Sequence, residues 1–247
     1  MSDVVVITGA SRGIGAACAV AAARAGWIVA VNYRQDRAAA ENILGQVEAA
    51  GSSGAVIAAD IGNPDDILRL FAEADRLGRL GGLINNAGIV DRKACVDEID
   101  AARLERMFRI NITGSFLAAR EAVRRMSTRH GGKGGAIVNL SSAAAVIGGA
   151  GQYVDYAASK GAIDSFTIGL AREVAEEGIR VNAVRPGIID TEIHASGGEP
   201  DRVRQMRGAV PMKREGTAEE VAKAVLWLLS ADASYTTAAI LDVAGGR

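Results

Sequence analysis

The stretch Val4-Val-Val-Ile-Thr-Gly-Ala-Ser-Arg-Gly-Ile-Gly15 constrains this chain more than any other. It joins an apolar run, a turn almost without side chains and the first residues of an apolar helix. Four consecutive β-branched residues, Val4 to Ile7, suit a strand buried on both faces. After Gly15, residues Ala16, Ala17, Ala19, Val20 and Ala23 recur at helical spacing. Glycine at 9, 13 and 15 permits positive φ, close approach of a ligand to the main chain, and tight helix–strand packing. The open N–H groups of such a helix start carry partial positive charge and suit a phosphate. The expected cradle is Gly9, Ser11, Arg12, Gly13, Ile14 and Gly15. Its G-x-x-x-G-x-G spacing differs from G-x-G-x-x-G, and no Gly-Lys-Ser/Thr follows, which argues against a P-loop. A tight turn with no ligand stays open at this point.

Apolar runs and helical patterns alternate through the rest of the chain. Strands are expected near Val4 to Ile7, Ile28 to Val31, Ala55 to Ala59, Leu83 to Asn85, Ala136 to Leu140, Arg180 to Val184 and Ile240 to Val243. The fold class that follows is α/β: a Rossmann-type doubly wound parallel sheet of about seven strands with helices on both faces. With 247 residues, 49% of them hydrophobic, and no Pro/Ser-rich or charge-rich linker, one domain over 1–247 is the simplest organisation. Crossovers in such a sheet are right-handed, and ligands bind beyond the carboxyl ends of the strands. Function is therefore sought just after each strand.

The net charge of -1 offers no electrostatic footprint for nucleic acid or an anionic membrane. There is no signal-peptide pattern and no apolar run near the ~20 residues of a membrane span, so a cytoplasmic protein is expected. Cys18, Cys95, His130 and His194 are too scattered for a disulfide framework or a metal site, and no metal is expected.

Strand two runs into Asn32-Tyr-Arg-Gln-Asp36. A free ribose 2′-hydroxyl usually meets a carboxylate here, whereas a 2′-phosphate calls for arginine. Asn32 and Arg34 hold these positions, with Arg12 protruding from the glycine-rich turn, so NADP(H) is favoured and NAD(H) is the alternative. Asp36 either serves the ribose or caps the next helix. Strand three ends at Asp60-Ile61, where a carboxylate and a backbone amide suit an adenine edge. Strand four ends at Asn85-Asn86-Ala87-Gly88, a turn signal beside the same cleft.

After strand five come Ser141-Ser142 and, farther on, Tyr156-Ala-Ala-Ser-Lys160. Tyr156 and Lys160 are i and i+4, so both project from one helix face. A phenol titrates near ~10, too high for acid/base work at neutral pH. A nearby ammonium and a positive nicotinamide favour the phenolate and are expected to lower that value. One serine at the strand end would orient the carbonyl oxygen. Ser141 and Ser142 face opposite ways, so only one of them serves. Tyr153 is a second tyrosine, but Ala157 rather than lysine stands four residues after it.

Thr8 to Gly15, Asn85 to Gly88, Asn111, Ser142, Tyr156, Lys160 and Pro186-Gly187 together resemble the motifs of the classical short-chain dehydrogenase/reductase (SDR) family over almost the whole chain. The resemblance implies an oxidoreductase moving hydride between nicotinamide C4 and a carbonyl or secondary alcohol carbon. It gives catalytic roles to Asn111, Ser142, Tyr156 and Lys160, with Asn111 kinking its helix and holding a water in a proton relay. Cofactor contacts would come from the cradle and from Asn32, Arg34, Asp60, Ile61, Asn86, Ala87, Gly88, Tyr156 and Lys160. Beyond strand six they would come from Pro186, Gly187, Ile189 and Thr191.

Residues 188–213 have the composition of a substrate lid, and their polar character hints at a polyol, sugar or other hydrophilic substrate rather than a steroid. Alternatives within the enzyme class are a 3-oxoacyl-thioester reductase, with Arg124, Arg125 and Arg129 meeting an acidic carrier protein, and a glucose-dehydrogenase-like sugar oxidoreductase. A non-catalytic NADP-binding sensor is the alternative of another class. Thr217 and Glu220 form a capping-box pattern. The Gly245-Gly246 tail resembles that of family tetramers, so a homotetramer acting on a small molecule is expected.

Overall fold

The computed structural model describes residues 3–192 and 197–247. Its strands are β1 (Val4–Ile7), β2 (Ile28–Tyr33), β3 (Gly54–Ala58), β4 (Leu80–Asn85), β5 (Gly135–Leu140), β6 (Ile179–Pro186) and β7 (Ile240–Val243). They form one sheet in the order β3-β2-β1-β4-β5-β6-β7, parallel throughout. The order reverses direction between β1 and β4, which opens a crevice at their carboxyl ends.

The helices are α1 (Gly13–Arg24), α2 (Arg37–Ala49), α3 (Pro64–Ala74), α4 (Ala101–Phe108), α5 (Ser115–Met126), α6 (Ala144–Ile147), α7 (Val154–Val174), α8 (Arg202–Met206) and α9 (Ala218–Leu229). Alternate residues of β1 feed two cores, as the pleat requires. Val5 and Ile7 pack with Cys18, Ala22, Val221 and Val225 under α1 and α9. Val4 and Val6 pack with Leu70, Phe71, Ala118 and Val174 under α3, α5 and α7.

Local chemistry sets the helix starts. Asp36 accepts from Ala39 N at 2.9 Å and so caps α2. Asn63 and Pro64 open α3. Thr217 and Glu220 exchange hydrogen bonds of 3.2 and 2.9 Å at the start of α9, completing the expected box.

β3 and β5 lie within one residue of expectation, and larger differences fall at β2, β4 and β6. β4 begins at Leu80, because Gly81 and Gly82 continue the strand rather than turning. A Cβ on Gly82 would stand 3.1 Å from Leu229 Cδ1 and 3.2 Å from Val5 Cγ2, so the missing side chain lets the sheet pack. β2 extends to Tyr33 and β6 to Pro186. Between α4 and α5 the chain forms a π turn, Arg109–Gly114. In the expected lid, Ile189 bridges Gly216, α8 follows, and Arg207–Ala209 makes one 3-10 turn. His194 lies outside the described residues. Among the described residues no helix is long and apolar enough to cross a membrane.

Candidate active site

The cradle is built from backbone. Gly9 and Gly13 have φ of +62° and +55°, the region glycine occupies without penalty. Gly15 is the tightest point. A Cβ there would collide with the Gly9 carbonyl oxygen and come within 2.5 Å of Asn86 Nδ2. Thr191 approaches from the other side, its Cγ2 3.4 Å from a Cβ placed on Gly13.

The turn after β4 is tied to this cradle. Asn86 Nδ2 donates to the carbonyls of Thr8 and Gly9, each at 2.9 Å. Thr8 Oγ1 accepts from the N–H groups of Asn86 and Ala87, each at 3.0 Å. Thus the two glycine-containing turns are held as one rigid rim.

Asn32 differs from its expected place at the ligand. It is buried, accepts from Gly9 N at 3.0 Å, and donates to Ile57 O and Ala59 O at 3.2 and 3.1 Å. Its amide therefore fixes the cradle from behind. Arg34 and Arg12 are exposed near the carboxyl end of β2, and Asp36 is spent on its helix cap. Asp60 Oδ1 accepts from Gly62 N at 2.8 Å, and Asp66 Oδ2 accepts from Asp60 N at 2.8 Å, so the turn after β3 is internally fixed. Asp66 is held below the usual carboxylate range by that bond and by Arg69. Ile61 is buried against Gly114, whose missing side chain makes room for it.

One cavity of about 340 Å³ collects Ile14, Asn86, Gly88, Ser142, Tyr156, Lys160, Pro186, Gly187, Ile189 and Thr191. Pro186-Gly187 reaches it because Gly187 packs on Ala244, 2.7 Å from where a Cβ would meet its Cα. Gly9, Ser11, Arg12, Gly13, Gly15, Asn32, Arg34, Asp60, Ile61, Ala87 and Asn111 stand outside this cavity wall.

Tyr156 and Lys160 project from one face of α7. Lys160 is buried and donates to Leu140 O at 2.6 Å, with Nζ 5.7 Å from the Tyr156 ring centroid. Burial lowers its pKa to about 8, while Asp164 one turn farther on opposes the shift. Ser142, not Ser141, is the serine whose hydroxyl acts on the Tyr156 phenol, and the Ser142 and Tyr156 side chains line the same cavity. Ser141 is buried and its Oγ donates to Lys160 O at 3.3 Å. The Tyr156 pKa is raised by burial, with the Ser142 bond acting in the lowering direction. The direction is opposite to the depression expected from Lys160, because burial of the phenol dominates and only Ser142 acts against it.

Asn111 sits in the π turn, fully buried. It clamps Ile89, accepting from its N–H at 2.8 Å and donating to its carbonyl at 2.9 Å, and donates to Ser159 Oγ at 3.1 Å. Beneath it Asn85 donates to Ser115 O and Asn139 Oδ1, and Asn139 donates to Thr167 Oγ1 at 2.9 Å. This polar ladder locks β4, β5 and α7 together below the chemistry.

Several cavity residues were not assigned to the site from sequence: Gln152, Tyr153, Arg247 and Arg202, the last within the expected lid. Tyr153 was visible only as a rival tyrosine. Nothing local marks the two arginines, which are 45 residues apart and meet only in the fold. The basic cluster weighed for a carrier protein is internally paired: Arg124 and Arg125 with Glu121 at 2.9 Å, Arg125 also with Asp75 at 2.8 Å, and Arg129 with Glu177 at 3.8 Å. Cys18 is buried, its thiol pushed up to about 12, and Cys95 is exposed. Among the described residues, no group of three His, Cys, Asp or Glu side chains is placed to hold a metal ion.

Comparison with known proteins follows the same lines. Residues 9–247 match the family model described as "Enoyl-(Acyl carrier protein) reductase". The chain is 50% identical over 245 residues to an uncharacterised oxidoreductase, YgfF, of Escherichia coli, covering 99% of each. Among solved structures, it is similar to a short-chain type dehydrogenase/reductase from Mycobacterium marinum, at 32% identity and a TM-score of 0.92 over 99% of this chain and 94% of that one. It is also similar to acetoin dehydrogenase YohF from Salmonella typhimurium, at 32% identity and a TM-score of 0.87 over 100% and 97% of the two chains.

Proposed function

The chain belongs to the short-chain dehydrogenase/reductase family of oxidoreductases, and from that premise we propose that it interconverts a small carbonyl compound and its secondary alcohol using NADP(H). The observation that carries this is the convergence of Ser142, Tyr156 and Lys160 on a cavity that Ile14, Asn86 and Gly88 border from the side of the glycine-rich rim.

A dinucleotide fits that rim. Gly9, Gly13 and Gly15 leave backbone where side chains would stand, and the N-terminus of α1 opens onto it. When bound, the nicotinamide supplies or accepts the hydride. Ser11, Ile14, Asn86, Ala87 and Gly88 shape the rim, with Pro186, Gly187, Ile189 and Thr191 closing the opposite wall. Arg12 and Arg34 meet a 2′-phosphate, which supports NADP(H) over NAD(H) because Asp36 is already committed. Asp60 and Ile61 border the adenine end.

Tyr156 gives a proton to the substrate oxygen in reduction and takes it back in oxidation. Ser142 donates a hydrogen bond to the same oxygen and holds it against the phenol. Lys160, charged below pH of about 8, stabilises the phenolate that results. Asn111 keeps Ile89 and Ser159 in register and supports the path by which the proton reaches solvent.

The likeness to acetoin dehydrogenase supports a compact ketone as substrate. The same reading places one domain over the whole chain, in the cytoplasm, as a homotetramer. Half-exposed Phe116, stacked on Phe166 at 3.6 Å, supports a surface that a second copy covers. The test is reduced-nicotinamide consumption with NADPH and with NADH across diketones, quinones, sugar-derived ketones and acetoacetyl thioesters. Turnover of small ketones with preference for NADPH is expected. Binding of both cofactors with no turnover in either direction would replace this account with a non-catalytic binding protein.

A further inference from the structure

The substrate end of the cavity carries two arginines for which the chemistry above has no use. Arg202, the first residue of α8, lies over the Tyr153 ring with its guanidinium carbon 4.9 Å from the centroid, and Nη1 donates to Gln152 Oε1 at 2.8 Å. Arg247 arrives from the opposite direction. Gly245 and Gly246, at φ of +63° and +88°, turn the tail back across Val210 and Pro211, and the Arg247 N–H bonds to Ala244 O at 3.3 Å. Both residues line the wall shared with Ser142, Tyr153 and Tyr156.

The two guanidinium groups feel each other. The Arg247 pKa is lowered by burial and then by the charge of Arg202. Among the described residues neither forms an ion pair. The carboxylates around them are engaged elsewhere: Glu199 with Lys93 at 2.8 Å, Asp155 with Arg103 at 2.7 Å and Asp201 with Arg204 at 3.1 Å. Two half-buried cations turned to one cavity, each without a carboxylate, repel one another and bear a desolvation cost that an anion between them would remove. Arginine is also the side chain whose planar fork matches an oxyanion group.

We propose that the substrate carries an oxyanion, held by Arg202 and Arg247, a few bonds from the carbon that Tyr156 and Ser142 serve. Resting on the oxidoreductase assignment, this narrows the substrate class to short oxo or hydroxy compounds bearing a carboxylate, sulfonate or phosphonate. Tyr153, packed under Arg202, forms the apolar spacer between the two ends.

The test compares acetoacetate, 2-oxopropanesulfonate and 2-oxopropylphosphonate with uncharged ethyl acetoacetate. Turnover is followed in wild type, Arg202→Gln and Arg247→Gln, and binding to the same proteins is followed by saturation-transfer NMR, which needs no reaction. The expected result is preferential binding and turnover of one or more anions. Each substitution should reduce the acid-to-ester selectivity by about tenfold or more, and Arg202→Lys should recover part of it. The ranking of the three acids identifies the oxyanion. If the ester binds and reacts as well as every acid, or if selectivity survives both substitutions, the oxyanion site is overturned while the oxidoreductase assignment stands. If arginine-dependent anion binding is seen without turnover, the oxyanion site stands and the reaction assignment falls.

Discussion

Asn86 and Gly15 meet closely at the glycine-rich rim: the Asn86 amide that ties together the Thr8 and Gly9 carbonyls stands 2.5 Å from where a Gly15 Cβ would be. Relief cannot come from a flexible neighbour, because the other obstacle is the Gly9 backbone. Gly15→Ala is therefore expected to lower NADPH affinity by at least about tenfold and stability by about 1–3 kcal/mol. Fluorescence titration of the reduced cofactor and urea unfolding check the two effects.

The two serines after β5 have separable roles. Ser142 acts on the Tyr156 phenol, whereas Ser141 is turned inward onto the Lys160 carbonyl. Ser142→Ala is expected to cut kcat by about 10²-fold with little effect on stability. Ser141→Ala is expected to cost about 1 kcal/mol of stability and less than about tenfold in kcat. Steady-state kinetics beside thermal melts distinguish them.

Asn32 and Arg34 lie two residues apart and should fail differently. Asn32→Asp replaces a donor to two buried carbonyls by a carboxylate facing them, and is expected to cost about 3 kcal/mol. Arg34→Ala touches only the surface. It should leave stability within about 0.5 kcal/mol, lower NADPH affinity about tenfold and leave NADH affinity alone.

Much of this site was legible because its motifs are local. The β1–turn–α1 unit, the Asn85–Gly88 turn and the Tyr156/Lys160 pair each sit within one helical turn or one strand–turn segment, where period and glycine spacing report geometry directly. Pattern alone left Ser141 and Ser142 equal, since they differ only in which way a strand end points, and the choice of Ser142 rested on the family resemblance. Asn32 misled because its position was right and its orientation was not: a buried amide facing two strand carbonyls looks, in sequence, like one facing a ribose. The strand expected from Leu83 starts earlier, at Leu80, because Gly81 and Gly82 belong to it, and the missing side chain of Gly82 lets Leu229 of α9 and Val5 of β1 approach. Arg202 and Arg247 have no local signature, because only the turn of the Gly245-Gly246 tail brings them together.

The depressed pKa of Lys160 links stability to pH. With a folded value of about 8 and an unperturbed value of 10.5, the unfolded chain binds more protons between those limits, so stability attributable to this group rises with pH through that window and is complete only above the upper one. Wild type is therefore expected to gain about 2 kcal/mol over Lys160→Met between pH 7 and about pH 9.5. Paired urea unfolding of the two proteins, in which other titrations cancel, measures it.

The most direct measurement of the central claim is single-turnover and steady-state reduction of the best ketone by Tyr156→Phe, with NADPH affinity determined on the same sample. The variant keeps the ring that packs beside Lys160 and removes only the hydroxyl on which Ser142 acts. The expected result is a fall in kcat of about 10³-fold with NADPH affinity changed by less than about threefold. Turnover within about tenfold of wild type would contradict the account, since the proton would then come from a group other than Tyr156.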